Sequence, residues 1–289
     1  MRKMKKITII GGDLRIAKLA ELLAEDGFLI KTFALDKAEN LNKLETIKKC
    51  SSMEEAIEGA ELVIGPIPLS SNGKDINTPF SDTCITVEEL FSKLDGKKVI
   101  AGSIKQSLIE KWNNVQILDI MAREELAVLN TISTAEGAIQ IAMEETTRTI
   151  HGSKVLVMGF GRVGKILSNI LKGIGAQVYC EARKDTDLAW IKAYGYNSVH
   201  LKELDNYLGK FDIIINTIPV TILKEAELQK VKEDVLIIDL ASNPGGIDKM
   251  AAKKLGIKLI WALSLPGKVA PITSAEFIKD TLYNMIKEM

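Results

Sequence analysis

Three glycines near the middle of the chain have the spacing of a turn that binds phosphate. An apolar run before them, Val155–Met158, predicts a strand, and Lys165–Ile174 after them predicts a helix. The predicted turn comprises Gly159, Phe160, Gly161, Arg162, Val163 and Gly164. In such a unit the first glycine permits the tight turn, the second lets a pyrophosphate approach the backbone, and the third lets the helix pack against the strand. Because unpaired N–H groups at a helix start attract phosphate, we predict that these residues bind a nicotinamide dinucleotide.

The end of the next predicted strand bears on the choice between NAD and NADP. The position that usually carries a ribose-binding carboxylate falls on Ala182. Without a carboxylate there, the 2′-phosphate of NADP is not repelled, and Arg183 and Lys184 supply positive charge. NADP is therefore the predicted cofactor. Two alternatives are that Glu181 holds the ribose, which would favour NAD, and that the two cations merely begin a solvated helix.

Further strands of this half end in polar or small residues. Apolar runs at Asp212–Thr217, Val235–Leu240 and Lys258–Leu263 are typical of strands covered on both faces. At their ends, the residues expected to contact the dinucleotide are Thr217, Ile218, Pro219, Leu240 and Ala241. Lys268 lies beyond the last run and is a candidate anchor for a substrate carboxylate. Since parallel strands end at one common edge, these segments predict a lined cleft.

A second glycine turn follows the first predicted strand, Ile7–Ile10. Gly11 and Gly12 are not followed by a third glycine at the required spacing. The setting still places Asp13 and Arg15 at the carboxyl edge of a sheet, where open α/β sheets bind ligands. We predict that both face the substrate, with the planar guanidinium of Arg15 suited to a carboxylate. The alternative for Asp13 is an ordinary helix N-cap.

Other charged residues follow later strands of the first half. Ser103 and Lys105 come after one predicted strand, and Arg123 comes after the next. The predicted substrate-binding residues are Asp13, Arg15, Ser103 and Lys268. No acid–base pair identifies a catalytic residue, and Lys105 and Arg123 are the candidates. Each of these cations, taken singly, is also compatible with a solvated surface charge.

Short β-branched runs alternate with helical stretches along the whole chain, which indicates parallel sheets with crossover helices. We predict two doubly wound α/β domains, a flavodoxin- or Rossmann-like N-terminal domain and a Rossmann dinucleotide-binding domain, with a cleft between them. The predicted boundaries are 1–132 for the first domain, 133–152 for a linker helix, 153–271 for the second domain and 272–289 for a C-terminal helix. Ser133 or Thr134 is the expected N-cap of the linker helix, with Glu136 placed to reach back to Ser133.

Composition excludes several classes of protein. The chain of 289 residues has 38 Lys+Arg, 38 Asp+Glu and a pI of about 6.8, so it lacks the basic surplus of a nucleic-acid-binding protein. Three cysteines and two histidines show no metal-ligand spacing, so no metal site is predicted. The apolar runs are too short for a signal peptide or a membrane span. We therefore expect a cytoplasmic protein without nucleic-acid or membrane partners.

Taken in order, several segments resemble the A subunit of dipicolinate synthase over essentially the whole chain. They are IIGGDLR, STAEGAIQIAMEETTRTIHGSKVLVMGFGRVG, INTIP, DLASNPGG and LPGKVAP. The resemblance implies a nicotinamide-dependent oxidation in the mother-cell cytoplasm of a sporulating bacterium. It also implies that the partner is a flavodoxin-like B subunit. Its implied substrate is dihydrodipicolinate or a hydroxytetrahydro precursor, from the lysine pathway, and its product is dipicolinate.

Two other functions fit the same motifs. A two-domain 2-hydroxyacid dehydrogenase would need an arginine and a histidine–carboxylate pair near the nicotinamide, and neither His151 nor His200 lies late in the chain as that class requires. A nonenzymatic redox sensor would need only the dinucleotide site. The sequence leaves open whether the chain forms a homo-oligomer.

Overall fold

The computed structural model describes residues 6–39, 41 and 45–289. By internal contacts the chain divides into two units, Met1–Leu129 together with Ala270–Met289, and Asn130–Val269. Among the described residues, none of the helices is long and apolar enough to cross a membrane.

The first unit is built on a six-stranded parallel sheet. Its strands are β1 (Lys6–Ile10), β2 (Leu29–Phe33), β3 (Ile47–Lys49), β4 (Leu62–Ile64), β5 (Lys98–Ala101) and β6 (Gln116–Asp119). Its helices are α1 (Leu14–Glu25), α2 (Met53–Ile57), α3 (Val87–Ser92), α4 (Gln106–Lys111) and α11 (Pro271–Glu288). The strand order across the sheet is β3-β2-β1-β4-β5-β6.

The second unit repeats this architecture. Its strands are β7 (Lys154–Met158), β8 (Gln177–Ala182), β9 (Asn197–His200), β10 (Ile213–Asn216), β11 (Leu236–Asp239) and β12 (Lys258–Trp261). Its helices are α6 (Arg162–Gly173), α7 (Asp185–Ala193), α8 (Glu225–Leu228), α9 (Lys249–Lys254) and α10 (Leu265–Val269). The order β9-β8-β7-β10-β11-β12 is the dinucleotide-binding order of a doubly wound sheet. The prediction of two doubly wound parallel-sheet domains is confirmed.

The sequence analysis missed strand β3. It has three residues, Ile47–Lys49, two of which are lysines, so it lacks the apolar run that marked the other strands. It pairs in parallel with β2 at the edge of the sheet, where one side of a strand is exposed and lysine is tolerated.

The long helix that lies between β6 and β7 along the chain begins earlier than predicted. Helix α5 runs from Glu124 to Glu145, with Glu124 and Glu125 in its first turn, where carboxylates favour the helix dipole. Ser133 lies buried inside this helix, so its assignment as the N-cap was wrong. The start was misplaced because residues 124–132 contain no glycine or proline, so no local break separates them from the predicted helix.

Helix α11 packs on the first unit, although it lies at the far end of the chain. Its residues Ala275, Ile278 and Leu282 belong to the same buried cluster as Ile16 and Leu19 of α1. Full burial of each large aliphatic side chain is worth about 1.5–3 kcal/mol, so this contact holds the last helix firmly.

Candidate functional site

Two of the three glycines in the turn after β7 are required by the fold itself. Gly159 has a φ of +91°, and a Cβ there would lie 2.6 Å from the Thr217 hydroxyl oxygen. A Cβ at Gly164 would lie 2.1 Å from the carbonyl oxygen of Gly159. Both positions therefore exclude a side chain whether or not a ligand binds.

Gly161 has no such structural reason to be a glycine. Its φ of −83° is open to any residue, and a Cβ would meet no atom within 4 Å. It is the N-cap of α6 and makes no side-chain cap bond, so the first N–H groups of this twelve-residue helix have no capping side chain at this position. Open space beside a helix start that has no side-chain cap at Gly161 is what a pyrophosphate requires, and the turn fits the predicted dinucleotide.

The other residues of the turn are placed differently from one another. Phe160 is buried, with its ring 6.2 Å from that of Tyr194 and 6.4 Å from that of Tyr196. Arg162 is exposed in the first turn of α6, and Val163 beside it is half-buried. Phe160 thus anchors the turn in the core of the unit.

The end of β8 separates the acidic residue from the two cations that follow it. The Glu181 carboxylate is 1% exposed and accepts a hydrogen bond from Gly159 N at 3.2 Å. Burial raises the pKa of this carboxyl group. The strand ends at Ala182, which is buried, whereas Arg183 and Lys184 are exposed. No hydrogen bond or ion pair engages the Arg183 side chain among residues 6–39, 41 and 45–289.

A buried polar pair joins the ends of β10 and β11. Asn216 and Asp239 are neighbours in the sheet register, and Asn216 Nδ2 donates to Asp239 Oδ1 at 2.8 Å. The Asn216 side chain also holds the backbone of Ile218: its Nδ2 donates to Ile218 O at 3.0 Å and its Oδ1 accepts from Ile218 N at 3.1 Å. The Thr217 hydroxyl donates to Met158 O at 2.8 Å, and Pro219 follows on the surface. This segment is therefore fixed at the level of the glycine turn.

Asp239 also shapes the loop after β11. Its Oδ1 accepts from Ala241 N at 3.1 Å, and its Oδ2 accepts from Gly246 N at 2.8 Å. Ala241 O accepts from the indole of Trp261 at 2.8 Å, and Leu240 is half-buried beside it. The sequence analysis noted the strand ends but missed the pairing of Asn216 with Asp239, because only the sheet register brings the two side chains together.

The remaining candidates of the second unit lie apart from this network. Lys268 is exposed in α10 and makes no hydrogen bond or ion pair within the part of the chain that the structure describes. His200 ends β9, and its Nδ1 accepts from Lys202 N at 3.0 Å. His151 precedes β7 and packs against Gly175, so it lies near the amino ends of the strands.

Arg15, a predicted substrate contact, has hydrogen-bond partners within the protein. Its Nε and Nη2 donate to the carboxylate of Asp13, with Nη2 to Oδ2 at 2.8 Å, and Nη2 also donates to Ile67 O. Asp13 is at the same time the N-cap of α1, accepting from Arg15 N at 3.0 Å. The local aspartate therefore neutralises the guanidinium of Arg15, and a substrate contact by this residue stays a prediction.

Arg123 is also committed to partners within the protein. Its Nε donates to Glu125 at 2.8 Å, and its Nη1 and Nη2 donate to Glu288 of α11 at 2.6 and 2.9 Å. Two carboxylates hold the pKa of the Arg123 guanidinium above its usual value. Arg123 thus ties the region before α5 to the end of α11, and the expectation of a catalytic role has no support in this geometry.

Ser103 and Lys105 are presented by a loop that Asp119 holds. The Asp119 carboxylate accepts from Ser103 N and Ile104 N, each at 2.9 Å. Ser103 has a φ of +56°, an uncommon conformation for a residue with a side chain. Lys105 is exposed at the start of α4 and has no hydrogen bond or ion pair to its ammonium group among the described residues.

The connection between β4 and α3, residues 65–86, was missed entirely by the sequence analysis. It covers the first glycine turn: Gly12 N donates to Asn77 O at 2.9 Å, and a Cβ at Gly11 would lie 2.9 Å from the same oxygen. The length of this connection alone could have marked it as a candidate functional segment, because ordered connections above about 12–15 residues are usually functional. This cover explains why the first turn lacks the open space that Gly161 has.

Two cavities border this connection. The first has a volume of about 400 Å³ and is lined by residues that include Gly12, Asp13, Asp75, Asn77 and Thr78. The second has a volume of about 350 Å³ and is lined by residues that include Ser70, Gly73, Ser103, Lys105, Ser107 and Lys111. Sequence-predicted residues thus line both cavities, Asp13 the first and Ser103 with Lys105 the second.

Comparison with known protein families gives matches to each half. Residues 6–121 match the family of N-terminal domains of the dipicolinate synthase A subunit. Residues 121–246 match the D-isomer specific 2-hydroxyacid dehydrogenase, NAD binding domain. The chain therefore contains a nicotinamide-dinucleotide-binding domain of the dehydrogenase type.

Individual proteins resemble the chain over its full length. The dipicolinate synthase A subunit of Bacillus subtilis (strain 168) is 32% identical over 288 residues, which cover 98% of this chain and 96% of that protein. The crystal structure of the dipicolinate synthase A subunit from Bacillus halodurans has a TM-score of 0.88 at 30% identity, and the match covers 98% of this chain and 97% of that one. A shorter match is to shikimate dehydrogenase (NADP(+)) of Pyrococcus abyssi (strain GE5 / Orsay), 26% identical over 55% of this chain and 65% of that protein.

Proposed function

Because the chain belongs to the family of dipicolinate synthase A subunits, we propose that it is the oxidoreductase component that forms dipicolinate from dihydrodipicolinate or its hydroxytetrahydro precursor. The observation that carries the dinucleotide site is Gly161. It lies between two glycines that the fold requires, yet it has open space around it and stands at the start of α6. A glycine without a structural reason, at the place where a pyrophosphate approaches the backbone, supports a bound dinucleotide.

The proposed dinucleotide contacts are the turn Gly159–Gly164 and the ends of β10 and β11. When bound, the nicotinamide ring supplies a hydride acceptor. The chain supplies the helix N-terminus to the phosphates, and the Asn216–Asp239 pair holds the Thr217–Pro219 segment and the Leu240–Ala241 segment in place. These backbone positions are fixed before a ligand arrives, which lowers the entropy cost of binding.

We propose NADP as the cofactor. The Glu181 carboxylate lies under the turn, is 1% exposed and already accepts a hydrogen bond from Gly159 N, so it is not presented to a ribose. Ala182 offers no carboxylate to repel a 2′-phosphate. Arg183 is exposed and has no hydrogen bond or ion pair among the described residues, so its guanidinium supplies a planar donor set for that phosphate, and Lys184 adds charge. The name of the shikimate dehydrogenase relative also specifies NADP.

The substrate ring needs orientation and charge neutralisation more than acid–base catalysis. A dihydropyridine becomes aromatic when it loses a hydride and a proton, so the driving force is internal to the substrate. Holding the ring in a reactive geometry accounts for several kcal/mol of the barrier in well-positioned systems. Of the predicted residues, we propose Ser103 and Lys105 as substrate contacts. Asp13, which shapes the first cavity, and Lys268, which is exposed and unpaired in the described chain, remain further candidates.

We propose that the chain acts in the mother-cell cytoplasm of a sporulating bacterium together with a flavodoxin-like B subunit. The designation of its relatives by the letter A within a named synthase supports a partner of a different sequence. The equal number of acidic and basic residues supports a small-molecule rather than a nucleic-acid ligand.

The 2-hydroxyacid dehydrogenase alternative finds little support in the second unit, despite the match of residues 121–246. That chemistry uses a histidine as acid–base group beside the nicotinamide. The ring of His200 accepts a hydrogen bond from Lys202 N at an edge strand, and His151 lies near the amino ends of the strands. Neither is placed at the ends of β10 and β11, where the ring is expected.

An activity assay separates the three functions. The protein is incubated with NADP and either dihydrodipicolinate or a 2-hydroxy acid, with and without the B subunit, while NADPH and dipicolinate are measured. We expect both products to form in equal amounts in at least one mixture. Oxidation of a 2-hydroxy acid instead would favour the dehydrogenase alternative. Tight NADP binding without turnover of either substrate would favour the sensor.

A further inference from the structure

The two cavities beside residues 65–86 have opposite charge. Among the described residues that line the first cavity are Asp13 and Asp75, but no lysine or arginine. Among the described residues that line the second cavity are Lys105 and Lys111, but no aspartate or glutamate. A dianion entering the first cavity would meet the Asp75 carboxylate and an Asp13 carboxylate already paired with Arg15, and no lysine or arginine among the described lining residues would offset its desolvation. The second cavity is the one that electrostatics favours for an anion.

Lys105 is the cation of the second cavity that is free to bind. Lys111 Nζ lies 2.7 Å from the Glu88 carboxylate, which neutralises its charge. The Lys105 ammonium has no such partner within residues 6–39, 41 and 45–289. It lies beside Gly73, where a Cβ would be 3.1 Å from Nζ and where φ is +77°. A glycine at position 73 thus leaves room for the ammonium group against the loop.

The walls of the second cavity suit an apolar ring that carries a carboxylate. Leu69, Val87 and Leu108 supply aliphatic surface, while Ser70, Ser103 and Ser107 supply hydroxyl groups. The volume of about 350 Å³ lies within the range of small-molecule sites. Apolar walls with a few convergent polar groups are the usual composition of such sites.

The loops around the cavity are held rigidly on two sides. Asp119 binds the backbone of Ser103 and Ile104. On the opposite loop, Asn72 Oδ1 accepts from Lys74 N at 2.8 Å and from Asp75 N at 2.9 Å. The side chain of Lys105 therefore extends from a fixed backbone into a cavity of fixed shape, which favours a specific ligand.

We propose that this second cavity binds a carboxylate of the pyridine-2,6-dicarboxylate skeleton, with the Lys105 ammonium as its counter-ion and the aliphatic walls against the ring. The inference rests on the proposed function, because that function defines the skeleton. Beyond that function, the inference specifies which of the two cavities binds the substrate and which cation pairs with the substrate carboxylate. A carboxylate moved into a partly dry cavity needs such a paired cation, since its desolvation is otherwise uncompensated.

Binding of pyridine-2,6-dicarboxylate, measured by calorimetry on the full chain without cofactor, tests the proposal. Loss of one charge-assisted contact weakens binding by about ten- to a hundredfold, and we expect that loss for Lys105→Ala and partial recovery for Lys105→Arg. Lys74→Ala is the matched control, because it removes one charge from the same loop system but lines neither cavity. It should change the Kd by less than about threefold, the usual range for a surface charge. Circular dichroism checks that each variant is folded.

Asp75→Asn distinguishes the two cavities directly. If the ligand occupied the first cavity, removing the Asp75 charge would tighten binding, and we expect no such change. Wild-type affinity in Lys105→Ala, or tighter binding in Asp75→Asn, would overturn the inference while leaving the oxidoreductase proposal intact. Conversely, a wild-type protein that binds the dicarboxylate through Lys105 but never oxidises the dihydro compound, with or without the B subunit, would refute the proposed function and retain the cavity assignment.

Discussion

Replacing Gly161 and Gly164 separately by alanine should separate binding from folding within one turn. At Gly161 the new methyl group meets no protein atom within 4 Å, and the φ of −83° is ordinary for alanine. At Gly164 the methyl group would lie 2.1 Å from the carbonyl oxygen of Gly159, far inside van der Waals contact. Gly161→Ala should therefore affect mainly the binding of the dinucleotide, whereas Gly164→Ala should affect mainly the stability of the fold.

The magnitudes follow from these contacts. Gly161→Ala puts a methyl group where the pyrophosphate approaches, so one or more N–H contacts to phosphate are lost. A hydrogen bond to a charged group is worth about 1.5–3 kcal/mol, which corresponds to a ten- to hundredfold rise in Kd. The cost to stability is below about 1 kcal/mol, the range for alanine at an N-cap. Gly164→Ala overpacks the helix–strand contact, which typically costs about 1–3 kcal/mol.

Urea unfolding and dinucleotide titration, both on each variant, check the reasoning. We expect Gly161→Ala to lose affinity with only a small fall in its unfolding midpoint, and Gly164→Ala to show the larger fall in the midpoint. Wild-type affinity for NADP and NAD in Gly161→Ala would refute the argument, because the open space at this position would then have another cause. An unaltered unfolding midpoint in Gly164→Ala would show that the turn can relax around a side chain.

Three further predictions concern charged residues. Arg183→Ala should raise the Kd for NADP about ten- to a hundredfold and leave the Kd for NAD unchanged, because only NADP offers a 2′-phosphate. Titration of the variant with both dinucleotides measures this, and an equal loss of affinity for both would contradict the prediction. Burial raises the pKa of Glu181, so the folded state binds its proton at higher pH than the unfolded chain and loses stability as pH rises above the ordinary glutamate range. Glu181→Gln should remove that part of the slope in urea unfolding measured across pH, and an unchanged slope would disprove it. Arg123→Ala should leave the KM for dihydrodipicolinate unchanged, since its guanidinium contacts Glu125 and Glu288, and a raised KM in steady-state kinetics would return it to the site.

The sequence by itself determined the features that depend on neighbouring residues. The turn after β7 could be predicted because its three glycines, its strand and its helix are contiguous, and their spacing reflects backbone conformation and close approach. The two doubly wound sheets could be predicted because buried parallel strands are apolar on both faces. The exposed Arg183 after buried Ala182 likewise follows from its position at a strand end.

Only the tertiary structure decided which distant partners the charged side chains have. Arg15 binds the carbonyl oxygen of Ile67, and Arg123 binds Glu288, which lies 165 residues away. Each arginine also has an acidic residue two positions away, Asp13 or Glu125. Lys105, whose ammonium stays unpaired among the described residues, has serines at the same distance. A local pattern specifies the element on which a side chain lies. The distant partner of that side chain depends on which segments pack beside the element. The net charge that a cavity presents depends in turn on which of its charged side chains are paired.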